Sequence, residues 1–241
     1  MSLLHEILIN PRPGEDPADD RSGNQSGDQP EVAPVREPFR PAASSRASVH
    51  NDQIHALVQQ LFFSDESKTV RHVGFAPIEG STATATLCLD VARAVSERHK
   101  YDVGVIDARA ESGSLHNQLH IEPPNRAEVT WSIAPQLWLA PRRNWLRDPD
   151  GQRVTEQDLA RLRELTLEFD FSILWCDPVS WLTTSIARTC DGLVLVLAAN
   201  KTRRIVAAQV RDQLRRAQIP LLGTVLAERR FPVPQGLYRS L

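Results

Sequence analysis

Two largely apolar runs constrain the fold of this chain more than any other feature of its sequence. They are FDFSILWCD (169–177), in which four apolar residues follow one another at 173–176, and DGLVLVLAAN (191–200), which is apolar almost throughout. A strand of this kind has to be covered on both faces, which is typical of a parallel sheet with helices on each side.

Further strands and helices alternate along the rest of the chain. Shorter apolar runs predict strands at 70–77, 101–108, 135–141 and 220–228. Apolar residues at helical spacing predict helices at 52–63, 84–99, 156–168 and 201–218. Thr155 is the expected N-cap of the third helix. The sequence therefore predicts an α/β fold: a mostly parallel sheet with helices on both faces, joined by right-handed crossovers.

The first fifty residues differ in composition from the remainder. In segment 1–10, SLLHEILI predicts two turns of amphipathic helix with one apolar face, formed by Leu3, Leu4, Ile7 and Leu8. So short a helix is marginal alone in water, so we expect this face to bind a partner. Residues 11–50 are rich in Pro, Gly, Ser, Asp and Arg, which predicts a disordered linker. The folded domain is expected at 51–241.

Overall composition narrows the function classes. The 241 residues are 41% hydrophobic and 24% charged, with a formal net charge of −2, so charge does not favour nucleic acid or an anionic membrane. No apolar run reaches the roughly 18–20 residues that span a bilayer, and the first residues lack the basic stretch of a secretory signal. The three cysteines lie in apolar runs, where the expected role is core packing. We expect a cytoplasmic protein.

Ligands of open parallel sheets bind beyond the carboxyl ends of the strands. The loop after the first domain strand reads APIEGSTATATLCLD and contains no lysine. Its glycine and hydroxyl residues are candidate anion ligands: Gly80, Ser81, Thr82 and Thr84. Asp107 and Asp177 follow two other predicted strands and are expected at the same edge.

Several segments, in this order, resemble the cytoplasmic kinase domain of bacterial tyrosine kinases of polysaccharide synthesis, relatives of the ParA/MinD P-loop ATPases. VGFAPIEGSTATATLCLDVA resembles the family loop P-G-E-G-K-[ST]-T and its N-L-A helix, and VGVIDARAESGSLHNQL resembles I-D-A-D-L-R-x-P-S-L-H. FDFSILWCDPV resembles Y-D-x-[IV]-I-I-D-T-P-P. The resemblance covers about residues 52–241 and implies a ParA/MinD-like fold.

The resemblance also implies that nucleotide chemistry has been lost. Thr84 stands at the place of the phosphate-binding lysine, and Ala85 at the place of the Mg²⁺-binding hydroxyl. Asp107 is retained, whereas Trp175 replaces the aspartate of the third motif and Asp177 lies two residues later. We therefore expect no catalytic residue and no cofactor other than weakly bound ATP or ADP.

A non-catalytic relative would act by binding. The expected partners are protein subunits of a membrane complex that makes or exports a polysaccharide such as cellulose. The membrane would be reached only through these partners, and nucleic acid is not expected. Homodimerisation follows from the resemblance, because the relatives place nucleotide between two subunits.

Two alternatives remain open at this stage. The first is an active ATPase or tyrosine autokinase in which Asp107 and Asp177 hold Mg²⁺ and Tyr238 accepts the phosphoryl group. The second is a positioning protein of the MinD or ParA type. Ordinary structural roles are open as well: Asp107 as a solvated strand end and Asp177 as an N-terminal cap of the next turn.

Other conspicuous side chains have ordinary interpretations too. His116 and His120 are four residues apart, but no acidic or cysteine residue completes a metal site at matching spacing. The basic helix predicted at 201–218 reads as a solvated face, with the acidic surface of a partner as the alternative. Trp145 and Trp181 lie near loop ends and are candidate anchors for a partner.

Overall fold

The computed structural model describes residues 6–8, 43–64, 69–79, 83–109, 114–122, 130–147 and 154–227. Its strands are β1 (Glu6–Leu8), β2 (His72–Pro77), β3 (Val103–Asp107), β4 (Trp131–Ala134), β5 (Leu137–Ala140), β6 (Phe171–Trp175), β7 (Gly192–Ala198) and β8 (Leu221–Ala227). Its α-helices are α1 (Ala43–Phe62), α2 (Ala83–His99), α3 (Leu115–Gln118), α4 (Glu156–Leu167), α5 (Trp181–Ala187) and α6 (Arg204–Arg216), with a short 3₁₀ helix at Arg142–Asn144.

The described strands form one sheet in the order β1-β8-β7-β2-β6-β3-β5-β4. All neighbouring pairs are parallel except β4 and β5, which are antiparallel. The prediction of a mostly parallel sheet is confirmed. The two largely apolar runs form β6 and β7, which flank the central strand β2.

Helices cover both faces of the sheet, as predicted. On one face, α1 and α2 pack on alternate strand residues such as Phe75 and Trp175. On the other face, α4, α5 and α6 pack on the intervening residues, such as Ala76 and Leu174. The strands are therefore buried on both sides because their side chains supply two separate hydrophobic layers.

The helix predicted at 156–168 begins as expected. Thr155 accepts a hydrogen bond from the backbone N–H of Asp158 (3.2 Å), and the Asp158 carboxylate accepts one from the backbone N–H of Thr155 (2.9 Å). This reciprocal capping box satisfies two N–H groups that the first turn of α4 leaves without helical partners. The N-cap prediction is confirmed.

The helix predicted for the first ten residues is wrong at Glu6–Leu8, which form the strand β1. Its register with β8 pairs Glu6 with Thr224 and Leu8 with Leu226. An edge strand offers unpaired N–H and C=O groups, and this long-range partner is invisible to helical periodicity. Ile7 and Leu8 thus lie in a strand, while the predicted positions of Leu3 and Leu4 fall outside the described residues.

The disordered linker predicted for 11–50 is wrong for its last eight residues. Helix α1 begins at Ala43, and its residue His50 is buried against α2. The imidazole Nε2 of His50 lies 3.0 Å from the Asp90 carboxylate. The helix thus begins earlier than the polar composition of this segment indicates. Residues 11–42 lie outside the described residues.

The strand predicted at 135–141 is shorter than expected, because its first two residues form a turn. Gln136 has a φ of 58°, and the turn joins β5 to the preceding antiparallel strand β4, which the sequence pattern did not predict.

Among the described residues, no helix has the length and apolar character needed to cross a membrane.

Candidate functional site

The candidate site lies at the carboxyl edge of the sheet, where β3 and β6 end side by side. The last residue of β3, Asp107, is paired in register with the last residue of β6, Trp175. Asp177 follows two residues later, and α2 begins beyond the end of neighbouring β2. The parallel strands therefore bring the predicted acidic residues to one edge, which is where such sheets bind ligands.

Asp107 is fully buried and its carboxylate is held by the backbone. One oxygen accepts a hydrogen bond from the N–H of Leu115 (2.9 Å) and the other from the N–H of Arg109 (3.3 Å). The indole N–H of Trp145 donates to the Asp107 carbonyl (2.8 Å). Burial raises the pKa of Asp107 to about 6. The backbone N–H groups of Leu115 and Arg109 and the charges of Arg109 and Arg142 act to lower this pKa. The solvated strand end considered above is therefore wrong for Asp107.

Arg109 connects the two halves of the site. Its Nε donates to the carboxylate of Asp177 at 2.7 Å, and both side chains are largely shielded from solvent. The guanidinium carbon lies 4.4 Å from the centre of the Trp175 ring, which is a cation–π distance. The cation facing Asp177 is thus supplied by the protein itself.

The sequence carries a signal for Arg109 in the segment IDARA (106–110). In the family segment I-D-A-D-L-R, the second aspartate falls at the position of Arg109 in IDARA. The resemblance thus implies an acidic residue at the position where this chain has the basic Arg109, two residues after Asp107.

The phosphate-loop candidates are only partly within the described residues, because Gly80, Ser81 and Thr82 lie outside them. Thr84 lies in the first turn of α2 and is fully buried. Its hydroxyl oxygen has no hydrogen-bond partner among the residues that the structure describes. Ala85 beside it is buried as well. Neither residue supplies a positive charge or a metal-binding oxygen at the surface of the site.

The described residues do not fit a magnesium–nucleotide complex. Two carboxylates at this edge face two arginines, since Arg109 and Arg142 both lie close enough to act on the charge of Asp107. Both oxygens of Asp107 already accept N–H groups, and Asp177 is paired with Arg109. In the described part of the chain, no group of three or more His, Cys, Asp or Glu residues is arranged to hold a metal ion.

Two of the ordinary interpretations can be compared with the geometry. The N-cap of α5 is Ser180, which accepts from the N–H of Thr183, so Asp177 does not cap that helix. His116 lies within 3.2 Å of the Ser114 hydroxyl and packs edge-on against Trp131 at 5.9 Å between ring centres. It is a packed side chain at the edge of β4.

The two tryptophans considered as partner anchors differ in their exposure to solvent. Trp145 is fully buried and bound to the Asp107 carbonyl, so its interpretation as an exposed anchor is wrong. Trp181, at the start of α5, is 67% exposed. Only Trp181 presents its ring to solvent, and that exposure makes it a useful control for buried Trp175.

The sheet order and the acidic residues at the strand ends define a doubly wound α/β domain. The carboxyl edge of its sheet is of the kind at which such domains bind ligands. Its fold is shared with solved structures of low sequence identity. The chimeric protein CapA2B2 superimposes with a TM-score of 0.63 at 12% identity, covering 75% of this chain and 85% of that one. The BceF tyrosine kinase domain gives 0.58 at 18% identity, over 77% and 80% of the two chains.

A ParA family ATPase from Chlorobium tepidum gives a TM-score of 0.54 at 14% identity, covering 71% of this chain and 79% of that one. These similarities confirm the predicted ParA/MinD-like fold. No protein-family model matches the sequence, and no curated protein matches it either.

Proposed function

We propose that this chain is a non-catalytic relative of the polysaccharide-associated tyrosine kinases and acts as a binding subunit of a cell-envelope polysaccharide complex. The observation that carries the proposal is the Arg109 guanidinium, which lies on the Trp175 ring and pairs with Asp177 at 2.7 Å. The protein thereby fills with its own side chain the region in which a metal ion would meet the acidic residues.

The size of the expected effects on reaction rate favours a loss of catalysis. Phosphoryl transfer relies on positioning and on electrostatic stabilisation by a lysine and a metal ion. Removing such groups from a water-excluded site commonly costs several powers of ten in rate. Here the lysine position holds buried Thr84, and an arginine has replaced an acidic residue. A domain with these exchanges has the fold of an ATPase but lacks the charges that phosphoryl transfer requires.

A binding role is supported by the resemblance to kinases of polysaccharide synthesis and by the shared fold of the BceF tyrosine kinase domain. An ATPase-like domain that no longer cycles nucleotide can still present its surfaces to subunits of a synthase or export complex. The leucines at positions 3 and 4, which precede β1, remain our predicted second attachment. Two weak contacts joined by a linker bind far more tightly than either alone.

Titration of the full chain with Mg²⁺–ATP in a calorimeter tests the loss of nucleotide chemistry. We expect no binding at micromolar ATP, because Arg109 occupies the acidic edge and no lysine faces the phosphates. The Asp107→Asn variant should give the same flat titration. Micromolar binding by the wild type that disappears in Asp107→Asn would identify an active nucleotide site and overturn the proposal.

Purification of the native protein from a detergent extract of membranes tests the binding role. We expect it to bring down subunits of a polysaccharide synthase or exporter. The Leu3→Ser/Leu4→Ser variant should recover roughly tenfold less of them, because one of two linked contacts is lost. Recovery of the wild-type chain without any such subunit contradicts the binding role, whatever the calorimetry shows.

A further inference from the structure

A cavity of about 320 Å³ lies at the amino edge of the sheet, opposite the candidate site. It is found where the neighbouring strands β2, β6 and β3 begin, beside the end of α1. Its volume falls within the range of about 300–1,000 Å³ that is usual for small-molecule sites. We call it the amino-edge pocket, and its lining includes Phe62, Phe63, Arg71, Tyr101, Asp170 and Phe171.

Four aromatic rings form one wall of the pocket. The ring centre of Phe171 lies 5.4 Å from that of Phe62, 5.9 Å from that of Phe63 and 5.0 Å from that of Tyr101. Phe62 and Phe171 are buried and meet edge to face, whereas Tyr101 is 38% exposed. A further aromatic ring, brought by a ligand, can add the same kind of tilted contact to this wall.

The charges of the pocket come from Arg71 and Asp170, which stand just before β2 and β6. The backbone N–H of Arg71 donates to the carboxylate of Asp191 at 2.7 Å, and its carbonyl accepts from the N–H of Ser172 at 3.0 Å. The Asp170 carboxylate accepts from the N–H of Asp102 at 3.0 Å. These hydrogen bonds fix the backbone of Arg71 and the carboxylate of Asp170 relative to the sheet.

The two charges do not neutralise each other. Arg71 and Asp170 are both exposed, and neither forms an ion pair within the described part of the chain. Because His72 is paired in register with Ser172, the α-carbons of Arg71 and Asp170 lie about 6 Å apart. The guanidinium is thus available to a carboxylate, which it binds with two parallel hydrogen bonds, and the Asp170 carboxylate to a cation.

We propose that the amino-edge pocket binds a free aromatic α-amino acid. The ligand carboxylate pairs with Arg71, the ammonium group pairs with Asp170, and the side-chain ring packs on Phe171. The two charged groups of an amino acid are attached to one carbon atom, so together they can meet opposite charges on neighbouring strands.

Ligands that lack one of these groups fit less well. An aromatic carboxylate without the ammonium group meets the like charge of Asp170, and an aromatic amine leaves Arg71 without a partner. The pocket shares no residue with the candidate site at the carboxyl edge. The inference therefore stands or fails independently of the proposed function.

Titration of the isotope-labelled full chain with L-phenylalanine, followed by the chemical shifts of its backbone amides, tests the proposal. We expect saturable shifts at Arg71 and Phe171, and none at Asp107 and Asp177 of the opposite edge. A ligand of about twelve non-hydrogen atoms reaches a dissociation constant on the order of 0.3 mM at ordinary ligand efficiency.

Two further ligands serve as controls on the unaltered protein, so these comparisons do not depend on the folding of a variant. L-Alanine keeps both charges but has no ring, and phenylpropionate keeps the ring and the carboxylate but has no ammonium group. Each should bind at least about fivefold more weakly than L-phenylalanine, because one of the three contacts is lost.

The variant Arg71→Gln removes the positive charge of the pocket and should weaken the binding of L-phenylalanine by about fivefold. Arg71→Lys keeps the charge and should recover part of this loss. The matched control Arg163→Gln removes an exposed charge from α4 and should leave the dissociation constant unchanged. Circular dichroism checks that each variant is folded.

Four results would each overturn the proposal. They are the absence of saturable shifts at the starts of β2 and β6, shifts at the carboxyl edge alone, equal binding of L-alanine or phenylpropionate, and an unchanged dissociation constant in folded Arg71→Gln.

Discussion

Replacing Trp175 with alanine is expected to lower the free energy of unfolding by about 3–5 kcal/mol. The ring is 1% exposed and belongs to the hydrophobic layer beneath α1 and α2. Its removal leaves a cavity and also takes away the surface on which the Arg109 guanidinium lies. Urea unfolding of the two proteins, followed by far-ultraviolet circular dichroism, measures the difference.

The matched control is Trp181→Ala, which removes an identical side chain that is 67% exposed. Its free energy of unfolding should stay within about 0.5 kcal/mol of the wild type. Trp175→Phe keeps an aromatic face for Arg109 and should recover much of the stability. A loss below about 1 kcal/mol in Trp175→Ala would mean that the ring is not a core element.

This prediction bears on function as well as on stability. The resemblance places an aspartate at position 175, where it would serve chemistry at the edge of the site. A tryptophan that the core requires cannot be exchanged freely for an acidic side chain. A large loss in Trp175→Ala would show that position 175 belongs to the packed interior, as our proposal for this edge requires.

The central strands could be predicted because their signal is local. The side chains of β6 and β7 are apolar on both faces, and a run of that kind is stable only inside a covered sheet. The N-cap of α4 was equally local, since Thr155 and Asp158 lie three residues apart. The retained Asp107 was predictable as well, because the end of a parallel strand determines its place at the carboxyl edge.

The remaining features depend on contacts between distant residues. Glu6–Leu8 form a strand because β8, more than two hundred residues away, offers an open edge. Helix α1 begins at Ala43, and its residue His50 contacts Asp90, which lies forty residues further along the chain. Arg109 had a recognisable exchange in sequence, but its meaning emerged only when the sheet placed it between Trp175 and Asp177. A pattern within one element cannot reveal such partners.

The Asp107→Asn variant is expected to be more stable than the wild type at pH 7, by about 1–3 kcal/mol. Burial raises the pKa of Asp107 from 3.8 to about 6 in the folded protein. Between about pH 4 and pH 6, the folded state therefore keeps a proton that the unfolded chain has released. The wild type should lose stability as pH rises through this window and gain none above it.

The difference between the two pKa values corresponds to about 3 kcal/mol, which sets the upper limit of the gain. The asparagine amide keeps one acceptor for the N–H of Leu115, but its NH₂ group meets the N–H of Arg109, so the gain should fall short of that limit. Urea unfolding of both proteins at several pH values from 4 to 8 gives the comparison. Groups that titrate elsewhere in the chain are common to both proteins and cancel in the difference.

The control for this comparison is Asp52→Asn, which removes an exposed carboxylate from α1 and should leave the profile nearly unchanged. A less stable Asp107→Asn at every pH would contradict the prediction, because Arg109 and Arg142 would then outweigh the cost of burial. A more stable Asp107→Asn variant would mean that the Asp107 carboxylate lowers the free energy of unfolding of the wild-type domain. Since the carboxylate is shielded from solvent and already bonded to the backbone, that cost would be the desolvation of its charge, as expected for the non-catalytic site that we propose.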